Sequence, residues 1–349
     1  DNGYKMNNAD RLRELLEKKP LLRIGGAFDS MSAKLVEINK FDAIWAGSFA
    51  ISAIRALPDA SILTMTEFLN VSASIVESCK IPLIADCDTG YGGPSNVSYT
   101  VQKFEAAGVA AISIEDKKFP KQNSLLKNGN QELISEKDFV AKILAAKDAR
   151  INKNFMIIAR TEALIAGQGI KEALNRAYAY EKAGADSILI HSKSKSPEEI
   201  FEFSKQWEGT VPLTVVPTSY PDVSIKELEK NNIKMVIYAN QSLRASYFAI
   251  NKLLEEKRKT HQKKEENELL GFESTLHDLI DTFLVDVAWE FKDLKSYRQR
   301  LGWWKDQLGD IVLEEITPTM IESKITLLKK LGKKPGTINR YLSYLQGAF

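Results

Sequence analysis

Three carboxylates end two consecutive apolar runs: Asp86 and Asp88 close PLIADCD, and Glu115 closes AAISIED. The next two runs end on Arg160, in FMIIARTE, and His191, in SILIHSK. If these ends meet, the carboxylates repel one another unless a cation lies among them, and an oxygen-only set favours Mg²⁺ or Mn²⁺ over zinc. Arg160 brings the planar fork that matches phosphate or carboxylate oxygens. A divalent metal, an arginine and a histidine around one opening suit a small anionic substrate bearing phosphate or carboxylates. In IWAGS, Trp45 reads equally as wall or ligand contact, and Gly47 and Ser48 could aim backbone N–H groups at a developing oxyanion. Taken alone, DCDTGYGG also reads as a polar strand end with a glycine turn, and His191 as a satisfied structural histidine. What argues for a site is that the ends stand level with one another.

Such ends converge only if the runs are strands of one closed sheet. Eight short β-branched runs start at Leu21, Asp42, Pro82, Ala110, Phe155, Ser187, Pro212 and Met235, with helix-patterned segments between them. Strand and helix alternating eight times over about 250 residues predict an α/β chain folded as a (β/α)8 TIM barrel, whose reactive groups gather at the carboxyl ends of the strands. A doubly wound sheet would want a glycine fingerprint after its first strand, and GGAFDS is a poor one. The barrel is expected over residues 1–254.

The stretch EEKRKTHQKKEENE from Glu255 has no apolar residue, so 255–271 reads as a charged linker or helix extension. Beyond it, 272–349 predicts a small all-helical domain. STLHDLIDTFLVDVAWEFKDLKSYRQRLGWWKDQLG carries helical periodicity, Thr317-Pro318 offers an N-cap and first-turn proline, and PGTINRYLSYL starts a further helix.

Lys and Arg number 48 against 46 Asp and Glu, which leaves no overall field toward nucleic acid or acidic lipid. Two cysteines, Cys79 and Cys87, are too few for a disulfide framework and suit a reducing cytosol. No apolar run reaches membrane-spanning length, and DNGYKMNNADRLREL lacks the plan of a signal peptide. The expectation is a soluble cytoplasmic protein without a membrane partner. The first residue, Asp, and an end in mid-pattern, YLSYLQGAF, read as a piece of a longer frame.

Together, DCDTGYGG and EDKKFPKQNS resemble the isocitrate lyase and phosphoenolpyruvate mutase superfamily, and within it the mutases. Their hallmark is Glu-Asp-Lys, five residues, then Asn-Ser, here Glu115-Asp116-Lys117 and Asn123-Ser124. IWAGSFAISA, IIARTEALIAGQG, ILIHSK and YANQSLRAS extend the similarity from about Leu22 to Ala249. The resemblance implies Mg²⁺-dependent interconversion of phosphoenolpyruvate and phosphonopyruvate, which moves a phosphoryl group between the enol oxygen and carbon 3. It implies that Asp86 holds the metal directly and that Asp59, Asp88 and Glu115 hold its waters. Arg160, His191 and Asn123 would grip the phosphoryl group, Lys121 and Ser124 would lie on a lid, and Trp45 with the Gly47 and Ser48 amides would line the enolate. Barrels of this family pair through their last helices, so a homo-dimer or tetramer is expected.

Related carbon–carbon lyases use a lid cysteine, which this lid lacks. Phosphonopyruvate hydrolases share most of the site and depart at the lid Asn, so the alternative activity is that hydrolysis or another C–C or C–P lysis of the superfamily. Where many mutases read Trp-Gly-Ser-Gly-Leu, this chain reads Trp45-Ala46-Gly47-Ser48-Phe49.

The segment from Tyr297 resembles the helical core-binding domain of tyrosine recombinases, which implies contact with DNA. Between Lys324 and Arg340 lie six basic residues and no acidic one, a plausible phosphate-contact stripe or a solvated helix face. From Phe272 onward acids and bases balance at eleven each.

Overall fold

The computed structural model describes residues 7–269, 274–286 and 294–348. The eight expected runs are eight parallel strands: β1 (Leu22–Ala27), β2 (Ala43–Ala46), β3 (Leu83–Asp86), β4 (Ala111–Glu115), β5 (Met156–Thr161), β6 (Ser187–Ile190), β7 (Leu213–Val215) and β8 (Ile233–Tyr238). They pair in sequence order and close into a barrel, with Leu22 of β1 opposite Met235 of β8.

Helices follow the strands as the crossovers of a parallel sheet require. Before β1 runs α1 (Asn8–Lys18), and after it α2 (Ser30–Ile38); α3 (Ser48–Ala53) and α4 (Met65–Ser78) follow β2. Then come α5 (Pro94–Ala106), α6 (Glu136–Ala149), α7 (Gly169–Ala183), α8 (Glu198–Gln206), α9 (Ile225–Lys230) and α10 (Gln241–Leu269). Local chemistry sets several starts: Thr64 and Glu67 form a reciprocal capping box on α4, and Asp29 with Ser32 does the same on α2.

Successive strand residues face opposite sides, and the barrel divides its core accordingly. Leu22, Ile24, Ala43, Trp45, Ile84, Ala111, Met156, Ile158, Leu189, Met235 and Ile237 fill the interior, closed from below by Leu12 of α1. Their neighbours of the other parity, such as Ile44, Leu83, Ile112, Ile157 and Ile188, pack under the helices. Apart from Arg23 of β1, which is exposed, and Lys234 and Tyr238 of β8, which are half-buried, the strand residues are buried on both faces, which is why the strands read as apolar runs.

Contacts divide the chain into two units, 1–249 and 250–349. The division falls within α10, which runs on through the charged stretch. Residues 270–271 of the anticipated linker lie outside the described residues, as do 272–273, the run across 287–293 and the chain start 1–6.

The second unit has α11 (Leu276–Asp286), α12 (Leu294–Leu308), α13 (Pro318–Lys330) and α14 (Pro335–Ala348). Thr317 accepts from the Met320 amide to cap α13, with Pro318 in its first turn. Leu276, Ile280, Leu301, Trp304, Leu328, Ile338 and Leu345 form its core, and the Trp304 indole donates to the Tyr341 carbonyl at 2.9 Å. Among the described residues no helix is long and apolar enough to cross a membrane.

Candidate active site

The same alternation aims the candidate residues. Ile84 points into the barrel, so Asp86 two residues on points in as well. Ser113 leads likewise to Glu115, Ile158 to Arg160 and Leu189 to His191. Registers place Glu115 opposite Arg160, so acid and base stand level on adjacent strands. The turn that carries Asp88 relies on Gly90. Its φ of +86° is left-handed, and a Cβ there would lie 2.5 Å from Val97.

These ends surround a cavity of about 140 Å³, lined by Trp45, Gly47, Ser48, Asp59, Asp86, Lys121, Asn123, Ser124, Arg160 and His191, with Asp88 and Glu115 buried beside it. Thr218, Asn240 and Arg244 complete the lining from the β7–β8 side. A larger hollow, about 530 Å³, opens by α1, α8 and the start of β7, but its Arg13 is committed to Asp186 and no set of buried titratable groups converges on it.

The loop between β4 and α6 delivers Lys121, Asn123 and Ser124. Its base is tied by Lys118 N–H to the Glu132 carbonyl at 2.9 Å and Ile134 N–H to the Asp116 carbonyl at 2.9 Å. From this neck Lys121 reaches inward, its Nζ 2.7 Å from Asp88 Oδ1, 3.0 Å from Asp59 Oδ1 and 3.0 Å from Ser48 Oγ. Asn123 Nδ2 donates to the other oxygen of Asp59 at 2.8 Å. A cation therefore does sit among the carboxylates, and it is supplied by the chain. Burial opposes the Lys121 charge, but Asp88, Glu115, Asp59 and Asp86 outweigh it and hold the ammonium well above the usual lysine range. Asp88 goes the other way: burial and its acidic neighbours, against the pull of Lys121, raise it to about 7. Burial also raises Asp59, yet Lys121 and Asn123 bring it below the usual carboxylate range.

The donor set fits a hard divalent ion. Five carboxylates with buried side chains, Asp59, Asp86, Asp88, Glu115 and Glu162, face three buried cations, Lys117, Lys121 and Arg160, which leaves an excess of two negative charges when all five are ionised. Glu115 Oε1 has no hydrogen-bond partner, and Oε2 has only Arg160 Nε at 3.3 Å. Among the described residues no three of these side chains converge at direct ligand distance, so the arrangement suits an ion such as Mg²⁺ that keeps several waters.

Ser48 caps Asp86, its Oγ 2.9 Å and its amide 3.3 Å from Oδ2. The Ser48 amide anticipated for an oxyanion is thus engaged by a carboxylate. Trp45 is buried in the barrel interior and forms part of the cavity wall.

The opposite wall turns on Glu162, the last residue of FMIIARTE. Its Oε1 accepts from Arg160 Nε at 2.5 Å and lies 2.9 Å from His191 Nδ1. Its Oε2 accepts from Ser124 Oγ at 2.5 Å, with Lys117 Nζ at 3.4 Å. Burial would raise this carboxyl, but Arg160, His191 and Lys117 hold it well below the usual range. His191 Nδ1 also lies 2.9 Å from Arg160 Nη2. Burial and Arg160 lower the histidine below its ordinary value against the pull of Glu162, which favours the neutral ring. Behind this layer Asp116 accepts from Tyr180 Oη at 2.7 Å, Arg176 Nη1 at 3.2 Å and the Glu162 amide at 2.9 Å, which anchors the turn after β5. Cys87, fully buried, has its thiol pushed well up by burial and Asp86, so it is no nucleophile.

Glu162 and Lys117 both stand at strand ends in the sequence, one step of the inward parity past Arg160 and Glu115, and the ion pair between them is what the fold adds. Arg244 carries no such signal, because it lies on a helix after the last strand.

The family described as Phosphoenolpyruvate phosphomutase matches residues 12–257. A phosphonopyruvate hydrolase from Variovorax sp. (strain Pal2) is 46% identical over 246 residues, which cover 70% of this chain and 85% of that protein. The crystal structure of a phosphoenolpyruvate phosphomutase from Streptomyces platensis subsp. rosaceus superposes with a TM-score of 0.72 at 48% identity, covering 73% of this chain and 88% of that one. A phosphonopyruvate hydrolase solved with oxalate and Mg²⁺ gives a TM-score of 0.70 at 43% identity, with the same two coverages. With the family matched across the whole barrel and its rim, the chain belongs to the phosphoenolpyruvate mutase family of the isocitrate lyase superfamily.

Proposed function

We propose that the chain is a phosphoenolpyruvate mutase that interconverts phosphoenolpyruvate and phosphonopyruvate with Mg²⁺. The observation that carries this reading is the lid. Asn123, a neutral amide held by Asp59 at 2.8 Å, lines the same small cavity as Arg160 and His191. A mutase must break the P–O bond to the enol oxygen and form a P–C bond to carbon 3 of the same molecule, with no water taken up. A hydrolase instead passes the phosphoryl group to water and releases pyruvate and phosphate.

A phosphoryl group in a loose, metaphosphate-like transition state needs positioning and charge neutralisation more than a protein nucleophile. Arg160, fully charged and oriented by Glu162, suits the equatorial oxygens, with His191 beside it. Asp86, Asp88, Asp59 and Glu115 would hold Mg²⁺ and its waters, and the ion would supply charge neutralisation at the substrate's oxygens. Trp45, Gly47 and Ser48 would line the enolate. Lys121, Asn123 and Ser124, drawn inward on one loop, would exclude water once substrate is bound.

Phosphorus NMR of the purified protein with Mg²⁺ and phosphonopyruvate tests the reading. A phosphoenolpyruvate signal, lost in Asp86→Ala, is expected; free phosphate with pyruvate would instead support the hydrolase. No turnover by folded, Mg²⁺-supplied protein would overturn both.

Oligomerisation through α10 is supported by the exposure of Tyr247, Phe248, Ile250, Leu253 and Leu254, each more than half accessible. Light scattering should return a dimer or tetramer. For the second unit, contact with duplex DNA is favoured by one observation: Lys324, Lys329, Lys330, Lys333, Lys334 and Arg340 form no ion pair among the described residues. Salt-sensitive binding of duplex DNA would support it, and no binding at low salt would leave a structural role.

A further inference from the structure

The cavity's charges are almost all committed. Arg160 is engaged by Glu162 and Glu115, and Lys121 by Asp88 and Asp59. Lys117 is engaged by Glu162, the Gln122 carbonyl and Ser124. A divalent ion would cancel the remaining excess of two negative charges and leave the chamber near neutral. A substrate bearing both a carboxylate and a phosphoryl group then brings its own negative charge to a site whose buried cations already have partners.

Arg244 differs from all of these. It is exposed, lines the mouth of the cavity and makes no side-chain ion pair or hydrogen bond among the described residues. It stands in the first turn of α10, and that turn is pinned to the barrel because Ser242 Oγ donates to the Gly26 carbonyl at 2.7 Å and the Arg244 amide to the Asn240 carbonyl at 3.1 Å. The other residues on this wall, Val216, Thr218, Ala239 and Asn240, are neutral. The guanidinium is therefore held at the entrance by a rigid base and left free to turn toward an arriving anion.

We infer that Arg244 is a substrate-binding residue that captures the anionic substrate at the cavity mouth and selects for a second negative group on it. This rests on the mutase reading of the site. Because the contact is made on entry and kept in the bound state, it strengthens binding rather than the chemical step. A charge-assisted hydrogen bond at a partly screened position predicts a loss of about 10- to 100-fold in affinity when it is removed.

The test uses the full chain with Mg²⁺, wild type against Arg244→Met and Arg244→Lys, and oxalate as a dianionic probe in isothermal titration, alongside steady-state kinetics with phosphonopyruvate. The expected result is oxalate affinity and KM weakened by about 10- to 100-fold in Arg244→Met, with a much smaller change in kcat and partial rescue in Arg244→Lys. The fall of kcat/KM with added salt should also be shallower in Arg244→Met, since one exposed cation has gone. If wild type binds oxalate and Arg244→Met binds it equally well with an unchanged KM, the role of Arg244 is overturned while the reading of the site stands. If wild type with Mg²⁺ neither binds oxalate nor consumes phosphonopyruvate, the reading of the site falls and this inference with it.

Discussion

Glutamine in place of Glu162 keeps the shape of the side chain and removes one buried charge, so it isolates what that charge does. The carboxylate is fully buried and meets Arg160, His191, Ser124 and Lys117 within 3.4 Å. Leaving a buried cation without its partner costs about 3–5 kcal/mol. The lower end applies because Arg160 retains Glu115 at 3.3 Å and Lys117 retains the Gln122 carbonyl at 2.7 Å. At about 2–4 °C per kcal/mol for a unit of this size, roughly 3 kcal/mol lowers the melting temperature by about 6–12 °C. Arg160 and His191 also lose the oxygen that orients both, and a misplacement of about 1 Å at a reacting group costs on the order of 100-fold in rate. Thermal unfolding by circular dichroism and phosphorus NMR at saturating phosphonopyruvate read the two effects separately. A Glu162→Gln protein that melts within about 1 °C of wild type and keeps kcat within about threefold would refute the view that this carboxylate organises the wall.

Asp88, raised to about 7 by burial and its acidic neighbours against Lys121, predicts pH-dependent metal uptake. Below that pH it carries a proton that a cation must displace, so Mg²⁺ affinity should fall by up to about tenfold from pH 7 to pH 6, and Asp88→Asn should flatten the profile in isothermal titration. Its folded value lies above its unfolded one, so its contribution to stability is present at low pH and lost as pH rises through 7; urea titrations of metal-free protein check the sign. Asn123→Ala removes the donor to Asp59 and should slow formation of phosphoenolpyruvate by about 100-fold in the NMR assay, whereas an unchanged rate would remove the lid amide from the mechanism. A chain ended at Leu269 should keep kcat within about threefold, because every residue that lines the cavity lies between Trp45 and Arg244.

The barrel was legible because nearly all its strand residues are buried on both faces, so each strand reads as a short, largely apolar run that closes on polar or small residues. The cavity lining was partly legible for the same reason, since Trp45, Asp86, Arg160 and His191, which line it, stand at the ends of those runs. Less legible was anything that depends on a loop folding back. Lys121 and Ser48 are 73 positions apart, yet they meet in the carboxylate cluster. Asp116, the residue after β4, finds Tyr180 across 64 positions, although its neighbour Glu115 faces the barrel interior. Composition marks where apolar residues cease, whereas α10 carries helical hydrogen bonding through that point.

The order of strands, the chemistry of their ends and the hallmark spacing from Glu115 to Ser124 were determined by the sequence by itself, through periodicity and residue type. Which charges are spent and which are free was decided only by the tertiary structure. Lys121 pairs within the acidic cluster, Glu162 binds the opposite wall together, and Arg244, at the mouth, has no side-chain partner among the described residues. The reason is physical: periodicity is a property of one segment, whereas the charge balance of a buried site is summed over side chains that only folding brings within a few ångströms.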